Sequence, residues 1–189
     1  KRDYAGGIGA KVGIFTNLHK DKDLSVTKAL LKCLSYRGVS YAVDEELKSK
    51  VQASDYFSLS KPADFDFMLT VGGDGTILRV AKYCARYHIP VAGLNLGFVG
   101  FLTEEEPDRV DFLVDALING QYSLERRTLL SAEAEGKCFF ALNDVVVSRD
   151  SDSRMLEADV FVNDEFVDRY FCDGYIAVSY THLRAHETR

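Results

Sequence analysis

Residues 71–76 read Val-Gly-Gly-Asp-Gly-Thr, three glycines around one carboxylate, and the helix-like run ILRVAKYCARY follows at once. A tight strand-to-helix turn explains one or two of these glycines and would make Thr76 an acceptable helix N-cap. It does not explain three around an acid, because each ordered glycine loses more conformational entropy than any other residue. Gly72, Gly73 and Gly75 would let backbone N–H groups approach an oxyanion closely, beside the positive end of a helix beginning near Ile77. Asp74 is then the odd member, since an anion repels phosphate. It becomes useful if it holds a metal ion, or if it takes the proton from a hydroxyl attacking that phosphate.

Two further stretches could bind a ligand. The run Gly93-Leu-Asn-Leu-Gly97-Phe-Val-Gly100 follows a strand pattern but does not match the dinucleotide fingerprint G-x-G-x-x-G. It reads equally as a flexible β-turn, with Asn95 in an Asx-turn and Phe98 and Phe101 as core. In FFALNDVVVSR, Asn143 and Asp144 interrupt an apolar run, and buried polar groups need partners. Asn suits a purine edge and Asp a pair of ribose hydroxyls; a bulge or exposed strand edge is the bland alternative. No G-x-x-x-x-G-K-[ST] occurs, which excludes a P-loop nucleoside triphosphatase.

The elements that must position these residues follow two grammars. From 11 to 120, strand runs (KVGIFTN, VSYAVD, FDFMLTV, PVAGLNL) alternate with helical ones, and residues 45–62 form a polar connection. Gly38 stands where a helix C-cap glycine belongs, Pro107 opens a helix, and Gly120 closes it. Such alternation predicts a parallel sheet with flanking helices. After Gly120, strand pairs around Glu135-Gly136 and Asn163-Asp164 read as hairpins, so the second half is antiparallel β. The expected organisation is a lead-in at 1–10, an α/β phosphate-binding domain at 11–121, a partial β-rich domain at 122–179 and a tail at 180–189.

At 189 residues, with 47% hydrophobic and 28% charged residues, the composition is that of a globular protein. A net charge of −6 argues against nucleic acid or an anionic membrane as partner. No apolar run reaches about 18 residues, so no membrane span is expected. The start lacks Met and a signal-like apolar core, and reads as an internal or artificial beginning. Cys33, Cys84, Cys138 and Cys172 are widely spread without metal-ligand spacing, and imply a reduced, cytoplasmic protein. His19 and His88 are expected on surfaces or loop ends.

VGGDGT, GLNLGFVGFLTE, LNDVVVSR and FCDGYIAVS, in this order and spacing, resemble the NAD kinase family over residues 11–179. GGDGT alone is shared with diacylglycerol-kinase-like lipid kinases and 6-phosphofructokinases; the second and third elements are more telling. The resemblance implies an α/β domain and a β-rich domain with the active site between them. It implies transfer of a phosphoryl group from ATP, or polyphosphate in some members, to the 2′-hydroxyl of the adenosine ribose of NAD, with Mg²⁺ or another divalent metal. By the same likeness Asp74 is the catalytic aspartate, with Gly75 in its loop. Asn143 and Asp144 hold NAD, Phe101 lies beside the adenine, Arg154 and Asp173 add contacts, and Asn95 belongs to the pocket-forming loop. The expected partners are NAD, ATP and, at full length, further copies of the chain. After Ser179 the family pattern gives way to a ten-residue string resembling translated sequencing adapter. The β-rich domain is therefore expected to be incomplete and this polypeptide inactive. A lipid kinase sharing the turn, or a non-catalytic NAD-binding sensor, are the rival readings.

Overall fold

The computed structural model describes residues 9–97, 102, 105–150 and 155–179. Phe101, Arg154, most of the lead-in and the 180–189 tail lie outside the described residues. The chain divides into two compact units, one ending at Glu125 and the other starting at Arg126.

The first unit begins with β1 (Lys11–Thr16), α1 (Ser25–Tyr36), β2 (Ser40–Asp44) and β3 (Tyr56–Phe57). It continues with β4 (Phe67–Gly72), α2 (Asp74–Tyr87) and β5 (Val91–Asn95), and a short 3₁₀ turn at Pro107–Arg109 leads into α3 (Val110–Ile118). The strands form one parallel sheet in the order β3-β2-β1-β4-β5. Parallel strands buried on both faces need continuous apolar runs rather than alternation, and all six residues of β4 are buried. Val12 and Ile14 of β1 and Phe67, Leu69 and Val71 of β4 pack with Leu30 and Leu34 of α1 and Val114 and Leu117 of α3. Phe15 and Met68 point the other way, onto Val80, Tyr83 and Cys84 of α2. Helices α1 and α3 thus share one face, and α2 covers the other.

Capping accounts for the helix ends. Gly38 and Gly120 follow α1 and α3 in the left-handed conformation (φ 68° and 67°), which a glycine adopts without a Cβ penalty. His88 closes α2 at φ 55°, a loop-end position. The Arg37 guanidinium then joins α1 to α3, donating through Nε to Asp115 Oδ1 (2.6 Å) and through a terminal nitrogen to Asp115 Oδ2 (2.9 Å). It also lies 3.0 Å from Asp111. The edge strand β3 falls inside the stretch expected to be a polar connection. Phe57 is buried there, and the Tyr56 hydroxyl donates to the Val51 carbonyl (2.8 Å), which fixes a pair of residues too short to show periodicity.

The second unit contains β6 (Leu130–Ala134), β7 (Lys137–Ala141), β8 (Asp144–Ser148), β9 (Leu156–Val162), β10 (Glu165–Cys172) and β11 (Gly174–Val178). They form three antiparallel ladders, β6 with β7, β9 with β10, and β8 with β11. Both tight turns have positive φ at their two central residues: Glu135 and Gly136 (52°, 70°), and Asn163 and Asp164 (50°, 66°). That is the primed turn whose twist matches the flanking strands. The run KCFFALNDVVVS, read as one strand, is two strands broken at Leu142-Asn143. Among the described residues, no helix is long and apolar enough to cross a membrane.

Candidate active site

The strand order places the first candidate residues. The chain runs outward from β1 through β2 to β3, returns to the other side of β1 as β4, and goes on to β5. Loops leaving the carboxyl ends of β1 and β4 therefore diverge to opposite faces, and that divergence opens the crevice where α/β sheets bind ligands. Gly72 to Thr76 occupy this position. Asn17, the first residue after β1, donates its N–H to the Val71 carbonyl at 2.8 Å and ties the two loops together.

Each of the three glycines is small for a different reason. A Cβ at Gly72 would overlap the Thr76 hydroxyl and stand 2.9 Å from Thr76 Cβ and 3.1 Å from Asn17 Cβ. Gly72 therefore exists to admit the protein's own side chain. A Cβ at Gly73 would run into the Lys20 ammonium, with Asn95 Oδ1 3.6 Å away. At Gly75 a Cβ would meet nothing within 4 Å, although the residue lies in the first turn of a helix, where alanine is preferred by about 0.8–1.0 kcal/mol. No internal packing explains Gly75.

Helix α2 begins at Asp74, three residues before the expected start. The N-cap is Gly73, not Thr76; Thr76 stands at the third helical position, where its Oγ1 accepts the Gly73 N–H at 3.2 Å. Capping is thus done from inside the helix by a buried hydroxyl, which leaves Asp74 half-buried and Gly75 exposed on the rim of the turn. The half-buried Asp74 sits at the positive helix end, which favours a carboxylate. Its Oδ1 accepts the Leu102 N–H at 3.1 Å.

That bond brings in the second motif. Asn95 ends β5 directly beside Gly72 in the sheet register, and the Leu96 N–H donates to the Gly72 carbonyl. The Asn95 N–H donates to the Glu105 carbonyl at 2.7 Å, and Glu105 bridges to Leu94 of β5. Gly72, Gly73, Asp74, Gly75, Thr76 and Asn95 are therefore one constellation. Lys20 joins it, although the sequence offers no sign that separates it from Lys22.

The remaining candidates lie in the second unit and are not all neighbours there. Asn143 is the second of the two residues between β7 and β8, and its carbonyl accepts the Ser179 N–H at 2.9 Å while the Ser179 hydroxyl donates to the Leu142 carbonyl at 2.7 Å. Asp144 opens β8 opposite Val178. Asp173 stands at the far end of the same ladder, where Arg149 donates to its Oδ1 at 2.8 Å. At about 3.4 Å per residue the two ends are on the order of 15 Å apart. Arg149 is a partner the sequence did not single out.

An open parallel sheet with a glycine–acid turn at the point where its strand order reverses is an α/β architecture whose carboxyl-end crevice is the usual ligand position. Residues 12–122 match the family model of the ATP-NAD kinase N-terminal domain. The chain belongs to the ATP-NAD kinase family. It is 39% identical over 178 residues to the NAD kinase of a Thermoanaerobacter species, covering 90% of this chain and 63% of that relative. It is 35% identical over 167 residues to the NAD kinase of Methanothermobacter thermautotrophicus, covering 88% of this chain and 59% of that one. Its fold is similar to that of yeast NADH kinase complexed with NADH (TM-score 0.72, 20% identity, 90% of this chain and 57% of that one). It is also similar to an NAD kinase from Archaeoglobus fulgidus in complex with ATP (TM-score 0.64, 24% identity, 89% and 60%). The chain thus spans about six-tenths of the length of these proteins.

Proposed function

We propose that this chain supplies the phosphate-binding domain, residues 11–121, and part of the NAD-binding domain, residues 122–179, of an enzyme that phosphorylates NAD with ATP. The observation that carries the reading is the turn at residues 72–76: backbone N–H groups at a helix N-terminus with an open rim at Gly75 and one carboxylate, Asp74. Asp74 takes the proton from the 2′-hydroxyl of the adenosine ribose. The 2′-oxygen forms a bond to the γ-phosphorus, the bond from that phosphorus to the β,γ-bridging oxygen breaks, and ADP departs with the electron pair. Little covalent work is asked of the protein, so positioning and charge stabilisation dominate. Asn143, Asp144 and Asp173 bind the nucleosides, and their placement at the two ends of the β8–β11 ladder suits an extended dinucleotide.

The donor set suits Mg²⁺. That ion is commonly held by one or two carboxylates plus substrate phosphates rather than by a protein cage, and the turn offers one carboxylate, Asp74. A bound ion would meet Asp74 through one of its waters, leaving the carboxylate free to take the hydroxyl proton, and would neutralise charge on the phosphates. Four free cysteines agree with a reducing, cytoplasmic setting. The family reading also carries the expectation of a homo-oligomer at full length. The test is NADP formation from NAD and Mg-ATP by the full-length gene product. Absence of NADP, with turnover of diacylglycerol or another lipid alcohol instead, would overturn the reading.

A further inference from the structure

Lys20 lies four residues beyond the end of β1 in the polar stretch Thr-Asn-Leu-His-Lys-Asp-Lys. Its backbone is held on both sides. The Asn17 carbonyl accepts the N–H groups of Lys20 and Asp21, each at 3.0 Å, and Asn17 Oδ1 accepts the His19 N–H at 3.0 Å. Asp21 is 2% exposed, and its carboxylate accepts both the N–H (2.8 Å) and the hydroxyl (2.6 Å) of Thr27 in the first turn of α1. Anchoring on both sides fixes the Lys20 Cα, from which an exposed side chain extends.

That reach ends at the glycine turn. The ammonium lies against the Cα of Gly73, and a Cβ at Gly97 would stand 3.3 Å from it. Lys20 Nζ is thus flanked by the two glycine loops, over the carboxyl ends of β4 and β5. The ion pairs among the described residues do not include it. The helix end beneath it is also positive, so the two repel each other and both attract an anion placed between them.

We propose that Lys20 is a phosphate-binding residue: its ammonium, together with the N–H groups at the start of α2, binds the terminal phosphates of the phosphoryl donor and offsets the negative charge of Asp74 beside them. The proposal rests on the kinase reading for the identity of the donor, but not for the binding of a polyphosphate anion. It assigns Lys20 to the donor and not to NAD.

The test uses the full-length gene product with Lys20→Met, Lys20→Arg and, as a control for charge alone, Lys22→Met. Binding of inorganic tripolyphosphate and of Mg-ATP is measured by calorimetry, and NADP formation is measured separately. A hydrogen bond to a charged group corresponds to about 10–100-fold in affinity. Lys20→Met should therefore weaken tripolyphosphate binding and raise the KM for ATP by about 10–100-fold, leaving the KM for NAD and the thermal midpoint unchanged. Lys20→Arg should restore most of the loss, and Lys22→Met should have no effect. Tripolyphosphate affinity and ATP kinetics of Lys20→Met within about twofold of wild type, or equal losses in Lys20→Met and Lys22→Met, would overturn the assignment. If the wild-type protein binds tripolyphosphate through Lys20 but makes no NADP, the assignment stands and the kinase reading falls. If it makes NADP and Lys20 is silent, the reverse holds.

Discussion

The same substitution made three residues apart in the turn should move stability in opposite directions. At Gly72 an added methyl group overlaps the Thr76 hydroxyl and crowds Thr76 Cβ at 2.9 Å and Asn17 Cβ at 3.1 Å. Thr76 is 1% exposed and cannot swing into solvent. Overpacking costs about 1–3 kcal/mol and loss of a cap about 0.5–2, so Gly72→Ala should destabilise by about 2–4 kcal/mol. At Gly75 the methyl group meets nothing within 4 Å and the backbone is helical, so Gly75→Ala should be neutral or stabilising by up to about 1 kcal/mol. For a chain of this size the two variants should differ in thermal midpoint by roughly 5–20 °C. Activity should not follow stability. If Gly75 is bare so that a phosphate can approach, the better-folded Gly75→Ala protein should lose about 10–100-fold in kcat/KM for ATP, as misplacements near 1 Å do. Differential scanning calorimetry beside the NADP assay reads both. Gly75→Ala with unchanged ATP kinetics, or with a midpoint well below wild type, would refute the reasoning that separates the two glycines.

Three further outcomes follow from the geometry. Asp74→Asn should retain ATP and NAD binding yet lose about 10²–10⁴-fold in turnover, the usual contribution of a positioned base; near-wild-type kcat would remove Asp74 from that role. Asn143→Ala should weaken NAD binding by about 1–3 kcal/mol in calorimetry without changing ATP affinity, because partner groups lose their hydrogen bonds. The Arg37 guanidinium beside Asp115 holds that carboxyl below the ordinary aspartate range. A carboxyl with a lowered folded-state pKa gives stability above its unfolded pKa, about 3.9, and loses it as pH falls through the folded value. The stability gap between wild type and Arg37→Leu should therefore be full at pH 6 and close below about pH 4; a gap independent of pH would show that Arg37 acts through packing alone.

Much of the first unit was legible because its physics is local. Strands buried on both faces read as unbroken apolar runs, and Gly38 and Gly120 mark helix ends through a conformation other residues avoid. The polar Asn143-Asp144 step, by contrast, signalled an interruption without showing that it splits one apparent strand into β7 and β8. The start of α2 was misplaced because Gly-Asp-Gly has turn propensity, whereas the Thr76 hydroxyl caps the helix from within and extends it back to Asp74. Lys20 could not be found at all. Only the return of the chain from β3 to β4, on the far side of β1, lays the loop after β1 against Gly73. Long-range register of this kind leaves no trace in residue spacing.

The division of helices between the two faces of the sheet has a consequence for dynamics. α1 and α3 are stapled to each other by Arg37, so either is held when the other loosens. Among the described residues α2 covers its face without a helical neighbour, through Val80, Tyr83 and Cys84, and it carries Asp74, Gly75 and Thr76 in its first turn. Local opening of that one helix would dissolve the phosphate turn while the sheet and the opposite face stay folded. The lifetime of a competent site is then set by the opening free energy of α2, not by global unfolding. If the proposed site is right, a polyphosphate bound at its first turn should slow hydrogen exchange along the helix that packs on Phe15 and Met68.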